Sequence, residues 1–152
     1  MSKIFDSVAK GFDMSFWEKS NLAVLMVCIL SYGAYFALAM PSAVASGPSM
    51  EDIGGLLAGV LILAIVATVV AHIVIAAAAP RDVDDPDERD TVIERHADAR
   101  GYYVLATASI VALILAFTGR DIFWVAHTLL AGLAISEIAK GAQRAIAYRR
   151  GV

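Results

Sequence analysis

The chain of 152 residues has one cysteine, four prolines and long stretches without any charge. Each scarcity removes a class of protein. A single thiol, Cys28, forms no disulfide within the chain and has no cysteine partner for a metal motif, so it reads as a small buried hydrophobe. No nucleophile elbow, P-loop, His-Glu-x-x-His, Cys-x-x-Cys or dinucleotide-binding glycine pattern occurs. The expectation is a protein that is not an enzyme and carries no cofactor. Lysine and arginine total 12, too sparse and too close to apolar runs for a nucleic-acid surface.

What the chain has instead is apolar bulk. Hydrophobic residues make up 59% of it, against about 45–50% in a soluble domain, and the mean hydropathy is +0.70. The excess lies in four runs, at about 21–40, 53–79, 101–118 and 122–140. Each is long enough to cross a hydrocarbon layer of about 30 Å. The short alternating strands of a membrane barrel are missing. These runs predict an all-α integral membrane protein with four transmembrane helices in one domain, in contact with the lipid bilayer.

The positive charges are segregated. Lys3, Lys10 and Lys19 precede the first run; Arg81, Arg89, Arg95 and Arg100 lie between the second and third; Lys140, Arg144, Arg149 and Arg150 end the chain. Residues 41–52 hold no lysine or arginine, and only Arg120 falls on their side. The positive-inside rule then puts both termini and the 80–100 segment in the cytoplasm of a bacterium, with the chain in its inner membrane. "SAVAS" at 42–46 offers a small-residue cleavage site, but the run before it is long for a signal peptide and is expected to stay as a span.

Residues 3–14 set Ile4, Val8 and Phe12 on one side and Lys3, Asp6 and Lys10 on the other, the pattern of a short interfacial helix. Ser15 and Glu18 fit a capping box that opens the first span, and Pro41 is expected to close it. Ser49 and Asp52 fit a cap for the second span, which Pro80 is expected to close. Gly55 and Gly59 form a Gly-x-x-x-Gly pair, suited to helix packing inside the bundle or between two copies in a homodimer. In "TGRD", 118–121, Gly119 ends one helix and Asp121 caps the next, which makes the last two spans an antiparallel hairpin.

The segment "DDPDERDTVIERHADARGYY", 84–103, is the most polar of the chain. Asp85, Pro86 and Glu88 form a strong helix start, with acidic residues at the positive end of the helix dipole. No breaker follows before Gly101, so the third span is expected to begin as an 81–100 juxtamembrane helix. Tyr102 and Tyr103 mark its entry into lipid. The aspartates at 82–90 do not make an EF-hand loop, because position six would be Asp87 and position twelve Ile93. Val92, Ile93 and Ala97 give this helix an apolar side that must touch the chain's own tail, a second copy or a partner.

Two histidines and one carboxylate fall within the spans. His72 and His127 lie at different depths, on the order of 10 Å apart by helix rise, which argues against a shared haem. His127 is expected at the outer interface beside Trp124, and His72 in a polar contact with a neighbouring Ser or Thr. Glu137 has Lys140 three residues on, at ion-pair spacing. If Glu137 faced His72 instead, the two could relay protons.

Asp87, Glu88, Arg89, Ile93, Ala97 and Tyr103 together resemble a pattern in small uncharacterised prokaryotic four-span membrane proteins: Asp-Glu-Arg, then Ile, then Ala and an aromatic as the third span opens. Some members of such families are encoded beside small helix-turn-helix regulators. The resemblance implies a cytoplasmic docking role and carries over no catalytic residue. Three functions follow as expectations: an interaction or regulatory protein docking a partner through Glu88, Arg89, Ile93, Glu94 and Arg95; a small proton-coupled transporter or channel using His72 and Glu137; or an auxiliary subunit of a larger membrane complex.

Overall fold

A computed structural model describes residues 16–47, 50–78 and 88–150. The interfacial helix expected at 3–14, the caps at Ser15 and Ser49, Pro80, and the helix start at Asp85–Pro86 lie outside the described residues. Among those described, the chain forms four helices: α1 (Phe16–Ser46), α2 (Met50–Ala78), α3 (Glu88–Phe117) and α4 (Ile122–Arg150). All four are long and apolar enough to span a membrane.

Pro41 does not end α1, contrary to expectation: the helix continues through it to Ser46. Proline removes one helical hydrogen bond, a loss that neighbouring hydroxyls offset within membrane helices. Pro41 leaves the Ala37 carbonyl without its helical donor, while the neighbouring Ser42 hydroxyl donates to the Leu38 carbonyl at 3.1 Å. The terminator is Gly47, whose φ of 86° is the left-handed conformation that glycine adopts at least cost.

α3 is one unbroken rod from Glu88 to Phe117, about 45 Å long at 1.5 Å per residue. Its polar and apolar parts are a single helix, as the absence of a breaker predicts. The hairpin to α4 also follows expectation. Arg120 N–H donates to the Leu115 carbonyl and Gly119 N–H to the Ala116 carbonyl, both at 3.1 Å, with Gly119 at φ 71°. These two bonds are a Schellman ending. Asp121 then caps α4, its Oδ1 accepting from Phe123 N–H at 2.8 Å.

The principal contacts are α3 with α4, α1 with α2, and α1 with α4, so the helices follow the spatial order α2–α1–α4–α3. The tightest approaches occur at small residues. A Cβ on Gly132 would collide with Ala108 of α3, one on Gly101 would meet Lys140 Cγ at 2.5 Å and Ser136 Oγ at 3.0 Å, and one on Gly141 would meet Leu25 of α1 at 3.0 Å. Gly55 and Gly59 are different. Both are exposed, with nothing within 4 Å of an added Cβ. The packing expected of them inside the bundle is therefore not made, because α2 turns other residues, Leu56, Leu57 and Val60, toward Tyr35, Ala39 and Phe123.

Candidate functional site

Two regions place polar chemistry where it can act: the charged end, where α1 and α3 begin and α4 ends, and a pair of histidines on either side of α1.

At the charged end the extension of α3 lies along the tail of α4. Ile93 and Ala97 are buried, at 6% and 1% exposure. Two residues of the apolar side read from the sequence, Ile93 and Ala97, thus meet the chain's own tail, while Val92 stays exposed, and Ile93, expected on a docking face, is closed off. The reason is spacing: positions 93, 97 and 101 recur every four residues on one face of the helix, and all three are buried.

Charged residues flank this seam unequally. Asp90, Glu94 and Asp98 share one side. Arg144 of α4 reaches Asp98 at 2.9 Å and Glu94 at 3.5 Å. The carboxylates are half exposed, so each pair contributes only about 0–1 kcal/mol. Their effect is to fix the register of two helices already joined by burial. Arg89 donates to the Tyr148 carbonyl at 3.4 Å. Burial, then a hydrogen bond to Asp90 and the negative charges of Asp90 and Glu94, push the Tyr148 phenol up to about 12, with Arg144 acting in the opposite sense. Asn21 of α1 closes this side by donating to the Gly141 carbonyl at 3.0 Å. Ser136 does the same one step deeper, donating to the Gly101 carbonyl at 2.8 Å. On the opposite flank stand Val92, His96 and Arg100, facing Gln143, Ile146 and Arg150 across an open groove of about 340 Å³.

The histidines obey one rule. His72 Nδ1 lies 2.9 Å from the Thr68 carbonyl, and His127 Nδ1 lies 2.7 Å from the Phe123 carbonyl. A carbonyl only accepts, so Nδ1 carries the proton in both rings. With the rings neutral, each Nε2 is then an acceptor. Ser20 donates to His72 at 2.6 Å, and Tyr35 donates to His127 at 2.7 Å. Ser20 and Tyr35 both belong to α1, about 22 Å apart by helix rise. One bond holds α2 to α1 and the other holds α4 to α1. The expected contact of His72 with a neighbouring hydroxyl is present. His127 faces the bundle rather than its surroundings: it is 5% exposed and stacks on Phe123 at a centroid distance of 3.8 Å. Its position four residues after Phe123 turns it to the buried side of α4.

Glu137 pairs with Lys140 at 2.6 Å, as its spacing predicts. His72 and Glu137 thus have separate partners, and among the described residues no hydrogen bond joins them. No group of three or more potential metal ligands occurs among the described residues.

Sequence reasoning missed Tyr35, Gly132 and the Ala108 contact. The signal was available as small residues four apart, Ala97–Gly101, Ala108–Ala112 and Gly132–Ser136, rather than as glycine pairs alone. No family model, no curated protein and no solved structure matches this chain.

Proposed function

We propose that this chain is an interaction or regulatory protein of the bacterial inner membrane, with both termini cytoplasmic. It docks a protein partner on the α3 extension through Glu88, Arg89, Glu94 and Arg95. One observation carries this reading. The extension is a helix already packed and ion-paired against the tail of α4, with Glu88, Glu94 and Arg95 exposed along it. A surface fixed before binding loses little entropy when a partner arrives. A chain that only had to cross the bilayer would have no use for such a projection. The resemblance to small four-span proteins with the same Asp-Glu-Arg…Ile…Ala order agrees with docking.

The test is charge reversal. Each exposed charge contributes little to folding, whereas like charges brought together at an interface cost several kcal/mol. Glu88→Lys with Arg95→Glu should therefore insert and resist proteolysis like wild type, yet lose the protein that co-purifies in mild detergent. Unchanged co-purification removes the docking role. Orientation is tested separately in a Cys28→Ala background. A membrane-impermeant thiol reagent applied to intact cells should label Ser46→Cys and spare Val83→Cys.

A further inference from the structure

We infer that the groove between the α3 extension and the α4 tail is a seat for one anionic phospholipid, its phosphate held by His96, Arg100 and Arg150. This goes beyond the docking surface and depends neither on the partner nor on which side is cytoplasmic.

Three observations converge. The first is charge. The groove has an apolar floor, Val92, Ala97 and Ile146, and its rim is His96, Arg100 and Arg150, with no carboxylate in the lining. The acidic residues of α3 at 90, 94 and 98 stand on the other flank, where Arg144 engages Glu94 and Asp98. The lining of the groove is therefore positive, with Glu88 one turn before Val92 and outside that lining. The second is aim. His96 Nδ1 donates to the Val92 carbonyl at 2.9 Å, so it is in the imidazolium form that Nε2 is a second donor, the one a phosphate oxygen accepts from. The Gln143 side-chain oxygen, in the amide orientation that satisfies both groups, accepts from the Arg100 guanidinium. That bond anchors Arg100 at the groove while its fork of five donors exceeds what one amide oxygen takes up.

The third is depth. The apolar part of α3, Gly101–Phe117, rises only about 25 Å, and that of α4, Ile122–Ala139, about 27 Å. Both are near the lower limit of what crosses a hydrocarbon layer of about 30 Å, so the first turn beyond each span, the turn that holds Arg100 and Gln143, lies at the membrane surface. His96 then lies in the headgroup layer. Tyr103, exposed on the same flank three residues past Arg100, is placed beside the start of an acyl chain. A soluble anion would find the same charges but no use for the apolar floor; a phospholipid uses both.

The experiment uses the full chain in a nonionic detergent and native mass spectrometry, with phosphatidylglycerol, phosphatidylcholine and glycerol phosphate as separate probes. Wild type should retain one phosphatidylglycerol and neither of the others. His96→Glu with Arg150→Glu should cut that retention about tenfold at an unchanged melting temperature, and Arg150→Gln alone should cut it less. Arg120→Glu, at the far end of the hairpin, should leave it intact. Equal retention of phosphatidylcholine would overturn the site. So would unchanged retention in both groove variants, or an equal loss in Arg120→Glu. Binding of glycerol phosphate as tight as that of the lipid would show an anion site without membrane character and overturn the lipid assignment. No retention of phosphatidylglycerol would overturn the proposal as well.

Discussion

Helices α2 and α4 are each 29 residues long and each apolar enough to span a bilayer, yet they sit in opposite surroundings. No residue of α2 between Gly54 and Ala77 is buried, although it is the more apolar of the two. α4 buries Phe123, His127, Gly132, Ala134, Ser136 and Gly141. In water the greasier helix would be the one inside. In lipid the tails compete equally for large aliphatic side chains, so those face outward: Ile62, Leu63, Ile65 and Val66 are all more than half exposed. What draws helices together is close approach and hydrogen bonding. α4 supplies both, through Gly132 against Ala108 and His127 against Tyr35. α2 meets α1 through Leu56, Leu57, Val60 and one histidine bond.

The sharpest way to break this comparison is a bulky side chain at one glycine of each helix. Gly132→Leu should destabilise the protein by about 3 kcal/mol, since Ala108 cannot withdraw without moving its helix. Gly55→Leu should change stability by less than about 0.5 kcal/mol, because its Cβ enters open space. Unfolding in detergent with a graded denaturant reads both. Equal losses would mean that α2 buries its glycines against something in the membrane, and the contrast between the two helices would disappear.

The histidine bonds sharpen the comparison at a smaller scale. Tyr35→Phe leaves His127 Nε2 buried without its donor and should cost about 1 kcal/mol. Ser20→Ala should cost less than Tyr35→Phe, because the His72 ring is only partly buried. A larger effect at Ser20 would make α1–α2 the stronger joint and contradict the order. Side-chain titration gives the smallest effect. Tyr148 is raised in the folded state, so its contribution to stability is complete below about pH 10 and is lost as pH rises toward its folded value of about 12. Difference absorbance between wild type and Tyr148→Phe should show one tyrosine ionising late. The α3–α4 end should loosen only above about pH 10. Tyr148 ionising together with the exposed phenols would contradict its burial beside Asp90.

The four long apolar helices, the 118–121 hairpin, the unbroken α3 and the Glu137–Lys140 pair were all legible in the sequence. Each is set by local chemistry: run length, a glycine followed by an aspartate, the absence of a breaker, a three-residue spacing. Whatever depends on which side a helix turns was not legible. Leucine and glycine in a lipid-facing helix look alike from composition, so Gly55 and Gly59 suggested an interface that Gly132 and Gly101 make instead. Pro41 looked like a terminator because soluble helices do not tolerate it. His127 was placed by depth alone, and depth does not specify rotation about the helix axis. Docking residues were read as one group, although helical spacing puts Ile93 inward and Glu94 and Arg95 outward.

The central claim is that the α3 extension is preformed, folded against the tail of α4 before anything binds it. Hydrogen–deuterium exchange of the full chain in lipid nanodiscs measures this directly, peptide by peptide. Amides from Glu94 to Gly101 should exchange slowly, comparably to the tail at 141–147, and Arg144→Ala should speed both segments together. Rapid exchange throughout 88–100 in the unmodified protein, as in a loop without hydrogen bonds, would contradict the account.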